Sequence, residues 1–270
     1  MTRVLILGNS HVAALKLGWE SLAKNHSDVD VQFFAAPCAM FRRIKLDKKG
    51  VLGLSAAHRN DQHSIKTLEK LNGTLSVTPG DYDAVIWAGH AWYRHIVPSF
   101  LREFSIDGVR ETDAMHRMSE TAYKNMCMSL SERFAPGGRW KRYCRDKLWI
   151  APHPIQSESI IKSTDAEMER WRQAGAQGKG FRQALDIYFS QFENMLTNRN
   201  IGYIGQPEET LSDTGLSKEA FSSGSTRLKG GDKHGDEDYS HMNRDFGEIM
   251  IRLIMEKIRK PHTETPETGR

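Results

Sequence analysis

Short, continuously apolar runs alternate with segments of helical spacing along the chain. Arg3 to Leu7 is a β-branched and leucine run closed by Gly8, and Val12 to Lys24 behind it shows helical spacing through Leu15, Leu17, Trp19 and Leu22. This predicts a strand, a tight turn and a helix. Further strands are predicted at Val29 to Ala35, ended by Pro37, and at Ala84 to Trp87, preceded by the turn-like Pro79-Gly80-Asp81. Two more lie at Lys147 to Ala151, ended by Pro152, and at Ile201 to Ile204, ended by Gly205 and Pro207. Helical patterns fall near 116–134 and 181–198, and Met242 to Ile258 puts Phe246, Ile249, Met250, Leu253 and Ile254 on one face.

Buried-looking strands separated by helices imply a parallel sheet covered on both faces, with right-handed crossovers and a functional site at the strand C-terminal edge. The predicted class is α/β: a three-layer α/β/α sandwich, flavodoxin-like, with a mostly parallel five-stranded sheet. Residues 1–259 are expected to form one domain, and 260–270 a disordered tail. Two long connections interrupt the alternation: 38–80, which holds Arg42, Arg43, His58 and His63, and 205–240, rich in Gly, Ser and charge. Connections of this length are usually functional or disordered.

Composition narrows the classes. Of 270 residues 39% are hydrophobic and 27% charged, with 22 Gly and 9 Pro, which argues against a disordered, collagenous or coiled-coil chain. The net charge of +4 is too small over this length to demand nucleic acid or an anionic membrane, and neither is expected as a partner. No apolar run approaches a membrane span, and the apolar stretch of the first eight residues is too short for a signal peptide, so a cytoplasmic location is expected. Cys38, Cys127 and Cys144 would then stay reduced. The sharpest basic cluster, Arg139 to Lys147, carries Trp140 and Tyr143, which fits either bases stacked between cations or a solvated helix face.

Two strings bear on chemistry. Gly8-Asn9-Ser10-His11 puts a hydroxyl on the turn that opens a helix, where unpaired N–H groups and the helix dipole favour developing negative charge. Ser10 is a candidate nucleophile there; an ordinary N-cap serine is the alternative. Asp238-Tyr239-Ser240-His241 lies immediately before the last helix. Its spacing lets the carboxylate reach the imidazole Nδ1–H, fixing the tautomer and leaving Nε2 to take a proton from a serine. The alternative here is again capping, with His241 exposed.

Together the two ends resemble the SGNH hydrolases, the GDSL-like lipase/esterase superfamily. Their first block, a serine after the first strand, looks like Gly8-Asn9-Ser10-His11, and their last, Asp-x-x-His, looks like Asp238 to His241, continued by Met242-Asn243 and Phe246-Gly247. The resemblance implies a flavodoxin-like α/β/α fold, no metal or organic cofactor, and ester hydrolysis or acyl transfer through a serine acyl-enzyme. It covers the ends and departs in the middle. The family's oxyanion glycine and asparagine are replaced by Cys38, whose backbone N–H remains able to donate, and by His90 in Trp87-Ala88-Gly89-His90, which either donates one N–H or packs between aromatics. Asn9 stands for the usual aspartate. Asn9, His11, Trp92 and Tyr93 are candidate substrate contacts, with turn bracing, a helix-surface position and core packing as the plainer alternatives.

Other constellations are missing from the sequence. There is no Gly-x-Gly-x-x-Gly or Walker string after the first strand and no His-Glu-x-x-His, and the histidines and cysteines show no zinc-site spacing. His153 is placed near the site, at the end of the fourth strand. The sequence therefore reads as a serine esterase or acyltransferase. Ser10 attacks, His241 relays the proton, Asp238 orients His241, and Ser10, Cys38 and His90 hold the oxyanion. A small acyl ester of a polar, possibly carbohydrate, substrate is expected, because no long apolar lid is present. The alternative is an inert protein of the same fold that binds a glycan or a protein partner.

Overall fold

Every residue from Val4 to Leu7 is fully buried, as a strand covered on both faces requires. In the computed structural model, which describes residues 1–90, 96–176, 178–228 and 231–259, this run is β1 (Thr2–Gly8) of a five-stranded sheet. β2 (Val29–Ala35), β3 (Ala84–His90), β4 (Leu148–Pro152) and β5 (Gly202–Tyr203) complete it. The order is β5-β4-β3-β1-β2, and every neighbouring pair is parallel. The helices in chain order are α1 (Val12–Leu22), α2 (Cys38–Phe41), α3 (Gln62–Asn72), α4 (Ile96–Glu103), α5 (Glu120–Phe134), α6 (Gly138–Cys144), α7 (Glu169–Gly175), α8 (Lys179–Thr197) and α9 (Arg244–Arg259).

The period of two along β1 feeds two cores. Val4 and Ile6 pack with Val12 and Leu15 of α1 and with Phe246, Met250 and Ile254 of α9. Leu5 and Leu7 face a larger cluster that includes Leu68 of α3, Tyr123 of α5, Trp140 of α6, Trp171 of α7 and Tyr188 and Phe192 of α8. The result is the expected three-layer α/β/α sandwich. The chain runs from β1 outward to β2 and then crosses back to β3 on β1's other side, so the strand order reverses between β1 and β3. Open sheets bind ligands at such a switch point, beyond the strand C-termini. Among the described residues no helix is long and apolar enough to cross a membrane. The expected tail, 260–270, lies outside the described residues.

The connection 38–80 is not the irregular stretch its sequence suggests. It folds into α2, a small antiparallel sheet of Ile44–Leu46, Leu52–Leu54 and Ser76–Val77, and α3. The strands are too short to show a period, but α3 carries a readable signal. Asp61 caps its start by accepting from the His63 and Ser64 N–H groups, and Gly73 ends it in the left-handed conformation. The described residues of the connection 205–240 carry short 3-10 turns and isolated β-bridges, and side chains tie it down. Gln206 donates to Ser217 and Thr210, and the Asn243 amide donates to the Ala220 and Ser223 carbonyls.

α1 and α9 touch along their backbones. A methyl group at Gly247 would lie 1.8 Å from the Ala14 carbonyl oxygen, and one at Gly18 would lie 2.3 Å from the Gly247 carbonyl carbon. Gly247→Ala is therefore expected to force the helices apart at about 1–3 kcal/mol, read as a lower urea midpoint. Gly138→Ala, with nothing within 4 Å of the added methyl, should stay within about 0.5 kcal/mol of the parent. Equal midpoints for the two variants would refute the contact's importance.

Candidate active site

The Asp238-to-His241 string builds its own geometry. Asp238 Oδ1 accepts from the Ser240 N–H at 3.0 Å, the Ser240 hydroxyl at 3.2 Å and the His241 N–H at 3.0 Å. This turn brings the imidazole back onto the carboxylate, with His241 Nδ1 2.8 Å from Oδ2. A carboxylate only accepts, so Nδ1 carries the proton and Nε2 is bare. Nε2 lies 2.8 Å from Ser10 Oγ, whose hydroxyl donates to it. Burial works to raise the Asp238 carboxyl, but the His241 imidazole and the His241 and Ser240 N–H groups outweigh it and hold the group well below the ordinary carboxylate range. Of the two arrangements posed by the sequence, Asp238 meets the imidazole and does not cap α9, whose first turn is capped by Asn243 Oδ1 accepting from the Phe246 N–H at 3.2 Å.

Ser10 sits on the turn between β1 and α1, at the switch point. Asn9 braces that turn, its amide donating to the Gly89 carbonyl at 2.8 Å and its Oδ1 accepting from the His11 N–H at 3.2 Å. Gly89 has φ +67°, and a methyl group there would meet Asn9 Oδ1 at 2.3 Å, so only glycine admits the brace. The register between β3 and β4 shifts at this point, as at a β-bulge beside a site. Asn9 thus spends its polar atoms inside the protein. His11 is also turned inward and is buried. Its ring stacks on His241 at 4.8 Å and meets His153 edge-on at 3.9 Å, so the helix-surface position is corrected: the residue that opens α1 points across the strand ends.

His234, which the sequence did not single out, completes the row. It stacks on the other face of His241 at 4.1 Å and 11°, and its Nδ1 lies 2.7 Å from Asp238 Oδ2. Burial, then the neighbouring His241, push its imidazole down. No spacing rule marks it, because a histidine four residues before an aspartate in an irregular loop is common. It is held by the bridge Thr226↔Lys233 and by its N–H donating to the Ser225 carbonyl at 2.8 Å. His234, Asp238 and His241 bring three nitrogen or oxygen ligand atoms within 4.8 Å. The 2.8 Å contact between His241 Nδ1 and Asp238 Oδ2 is a hydrogen bond filled by an imidazole proton that a metal would have to displace.

The three predicted oxyanion donors end neighbouring strands. The Ala36 N–H donates to the Gly8 carbonyl, which sets the start of α2 beside the Ser10 turn. Cys38 is the first residue of α2, where no intrahelical partner takes its N–H. His90 lies in the core rather than at the surface, against Trp87 at 4.8 Å and Phe192 at 6.3 Å, with Nδ1 unpartnered. Burial pushes its imidazole down to about 4. Trp92 and Tyr93 lie outside the described residues. Cys127 and Cys144 are buried thiols that burial pushes up to about 12, away from nucleophilic use. Each aromatic of the basic cluster has a partner within the chain, Trp140 in the core and Tyr143 half-buried. Trp140 packs on Trp87, and the Tyr143 hydroxyl donates to the Lys48 carbonyl.

No protein-family model and no curated protein matches the chain. Among solved structures it aligns with the periplasmic domain of a lipopolysaccharide acetyltransferase from Salmonella ser. Paratyphi A. Identity is 16% and the TM-score 0.43, over 96% of this chain and 84% of that one.

The burial of His90 gives stability a pH dependence with a definite sign. Between the ordinary 6.5 and about 4 the unfolded chain binds a proton at this position that the folded chain refuses. Stability from His90 is therefore intact above that window and falls as pH drops through it, at up to about 1.4 kcal/mol per pH unit. His90→Gln should flatten the fall in urea midpoint from pH 6.5 to 4. An unchanged slope would mean the folded protein takes up the proton as readily as the unfolded chain.

Proposed function

We propose that the protein is a serine esterase or acyltransferase of SGNH type acting on a small acyl ester of a polar substrate, carbohydrate esters included. One observation carries this reading: Ser10 Oγ lies 2.8 Å from His241 Nε2 while His241 Nδ1 lies 2.8 Å from the Asp238 carboxylate. This is a nucleophile joined to a base that is itself oriented by a carboxylate. The inert binding alternative calls for those groups to stand more than a water apart, and the direct contacts favour the enzyme over it.

In the proposed cycle Ser10 Oγ attacks the acyl carbon as its proton passes to His241 Nε2. Asp238 stabilises the imidazolium and holds its tautomer. The oxyanion is taken by the Ser10 and Cys38 backbone N–H groups, with His90 as a third donor. His241 then returns the proton to the departing alkoxide, leaving an acyl-enzyme on Ser10. Water, or an acceptor hydroxyl deprotonated by His241, releases the acyl group. The cleft beside Asp238 is lined by Gln156, Arg227, Glu237 and Tyr239, which favours a polar partner over a lipid chain.

A fluorophosphonate probe should label Ser10 in the parent protein, as located by peptide mapping, and should fail to label Ser10→Ala or His241→Ala. Hydrolysis of p-nitrophenyl acetate should fall on the order of 1,000- to 10,000-fold in Ser10→Ala, His241→Ala and Asp238→Asn. A folded parent protein that is neither labelled nor hydrolytic would sink the assignment.

A further inference from the structure

The basic cluster at 139–147 has no part in the reaction above, and the fold gives it a neighbour of the same sign. In α6 the Tyr143 hydroxyl donates to the Lys48 carbonyl and Arg139 donates to the Leu46 carbonyl at 3.0 Å. A methyl group at Gly50 would lie 2.7 Å from the Tyr143 ring, so the ring closes directly on the turn between Ile44–Leu46 and Leu52–Leu54. The segments 45–49 and 139–147 are thereby fastened together, and between them they hold eight Lys and Arg against two Asp. That local excess is larger than the +4 of the whole chain, so the rest of the molecule is net negative and the positive charge is concentrated here. Lys45, Lys48, Lys49, Lys141, Arg142 and Arg145 are exposed. None of the six is in a salt bridge among the described residues. Of the two carboxylates, Asp47 accepts from the Lys49 and Val51 N–H groups and closes the hairpin turn.

We propose that this patch docks the protein reversibly on the surface of an anionic lipid bilayer. Acidic headgroups attract every Lys and Arg held near them, and the attractions of a cluster this size add. Single-stranded nucleic acid would call for aromatic faces on which bases stack. Here Trp140 is in the core and the Tyr143 ring lies against Gly50. Duplex DNA would call for a helix or ribbon free to enter its groove, whereas α6 is fastened along the hairpin by Arg139 and Tyr143. The apolar residues of the two segments, Leu46, Trp140 and Cys144, are buried, so nothing inserts into the hydrocarbon and charge alone holds the protein. Such attachment is screened by salt. The patch also has a definite place on the sheet. Arg145 to Lys147 lead directly into β4, and the Lys147 ammonium donates to the Tyr82 carbonyl just before β3. This is the N-terminal edge of the parallel strands, and the Ser10–His241 pair stands beyond the C-terminal edge. Docked by the patch, the protein holds its strand C-termini away from the bilayer, open to a polar substrate in solution.

Co-sedimentation of the full chain with vesicles decides it, using phosphatidylcholine alone and equal parts of phosphatidylcholine and phosphatidylserine. The parent should pellet with the anionic vesicles at low salt, remain in solution with the neutral ones, and be released at about 0.5 M salt. Lys48→Glu, Lys141→Glu and Arg142→Glu combined should weaken the binding on the order of tenfold or more. Lys16→Glu, Lys24→Glu and Lys257→Glu combined change the net charge equally on the α1 and α9 face of the sheet, and should weaken it by less than about threefold. Urea midpoints check that both variants fold. If the patch variant does not, Lys48→Gln, Lys141→Gln and Arg142→Gln carry the same expectation with a smaller fall. Because the readout is binding, it stands whether or not the protein proves to be an esterase. A folded parent that ignores anionic vesicles at low salt overturns the proposal, as does binding that both variants lose alike. Duplex DNA bound through the same three residues at lower concentration than the vesicles would also overturn it, and would assign the patch to nucleic acid.

Discussion

The backbone contact between α1 and α9 fixes the distance between the serine and the histidine. α1 begins at the Ser10 turn. α9 begins just after His241, where Asn243 accepts from the Phe246 N–H and donates to two carbonyls of the preceding loop. With only hydrogens between them at Gly18 and Gly247, the two helix backbones are in direct contact. A hydrogen bond of 2.8 Å between side chains on the two leading turns has little slack. Separating the helices by more than an ångström would turn it into a contact across a gap.

The polar atoms at the strand ends follow the same economy. Asn9 is consumed by the turn it braces, Asp238 by its own loop and the His241 imidazole, and the His153 ring donates to the Pro154 carbonyl. The buried donors and acceptors there are largely paired, as burial requires. His90 Nδ1 and His234 Nε2 are the departures, and both lie beside the proposed chemistry.

Much of this was legible in the sequence, for reasons that differ by element. The central strands announce themselves because burial on both faces demands unbroken apolar runs, as in Val4 to Leu7. The Asp238–His241 contact is legible because it lies within a local string whose spacing is itself the geometry. The small sheet in 38–80 is not, since three-residue strands show no period, and α3 was readable only from its caps, Asp61 and Gly73. His234 and the inward turn of His11 were hidden for another reason. Stacking on a shared ring is a tertiary relation between residues that share no pattern, and it exists only once α1, the final loop and the strand ends have met.

The Ser10–His241 hydrogen bond also spans 231 positions of chain. The imidazole that accepts from the Ser10 hydroxyl is therefore synthesised only after nearly nine-tenths of this sequence. For most of the elongation of this sequence the Ser10 hydroxyl has no imidazole to donate to. Any break in the chain that lets the α9 segment depart returns it to that state, with no inhibitor or cleavage at the site itself.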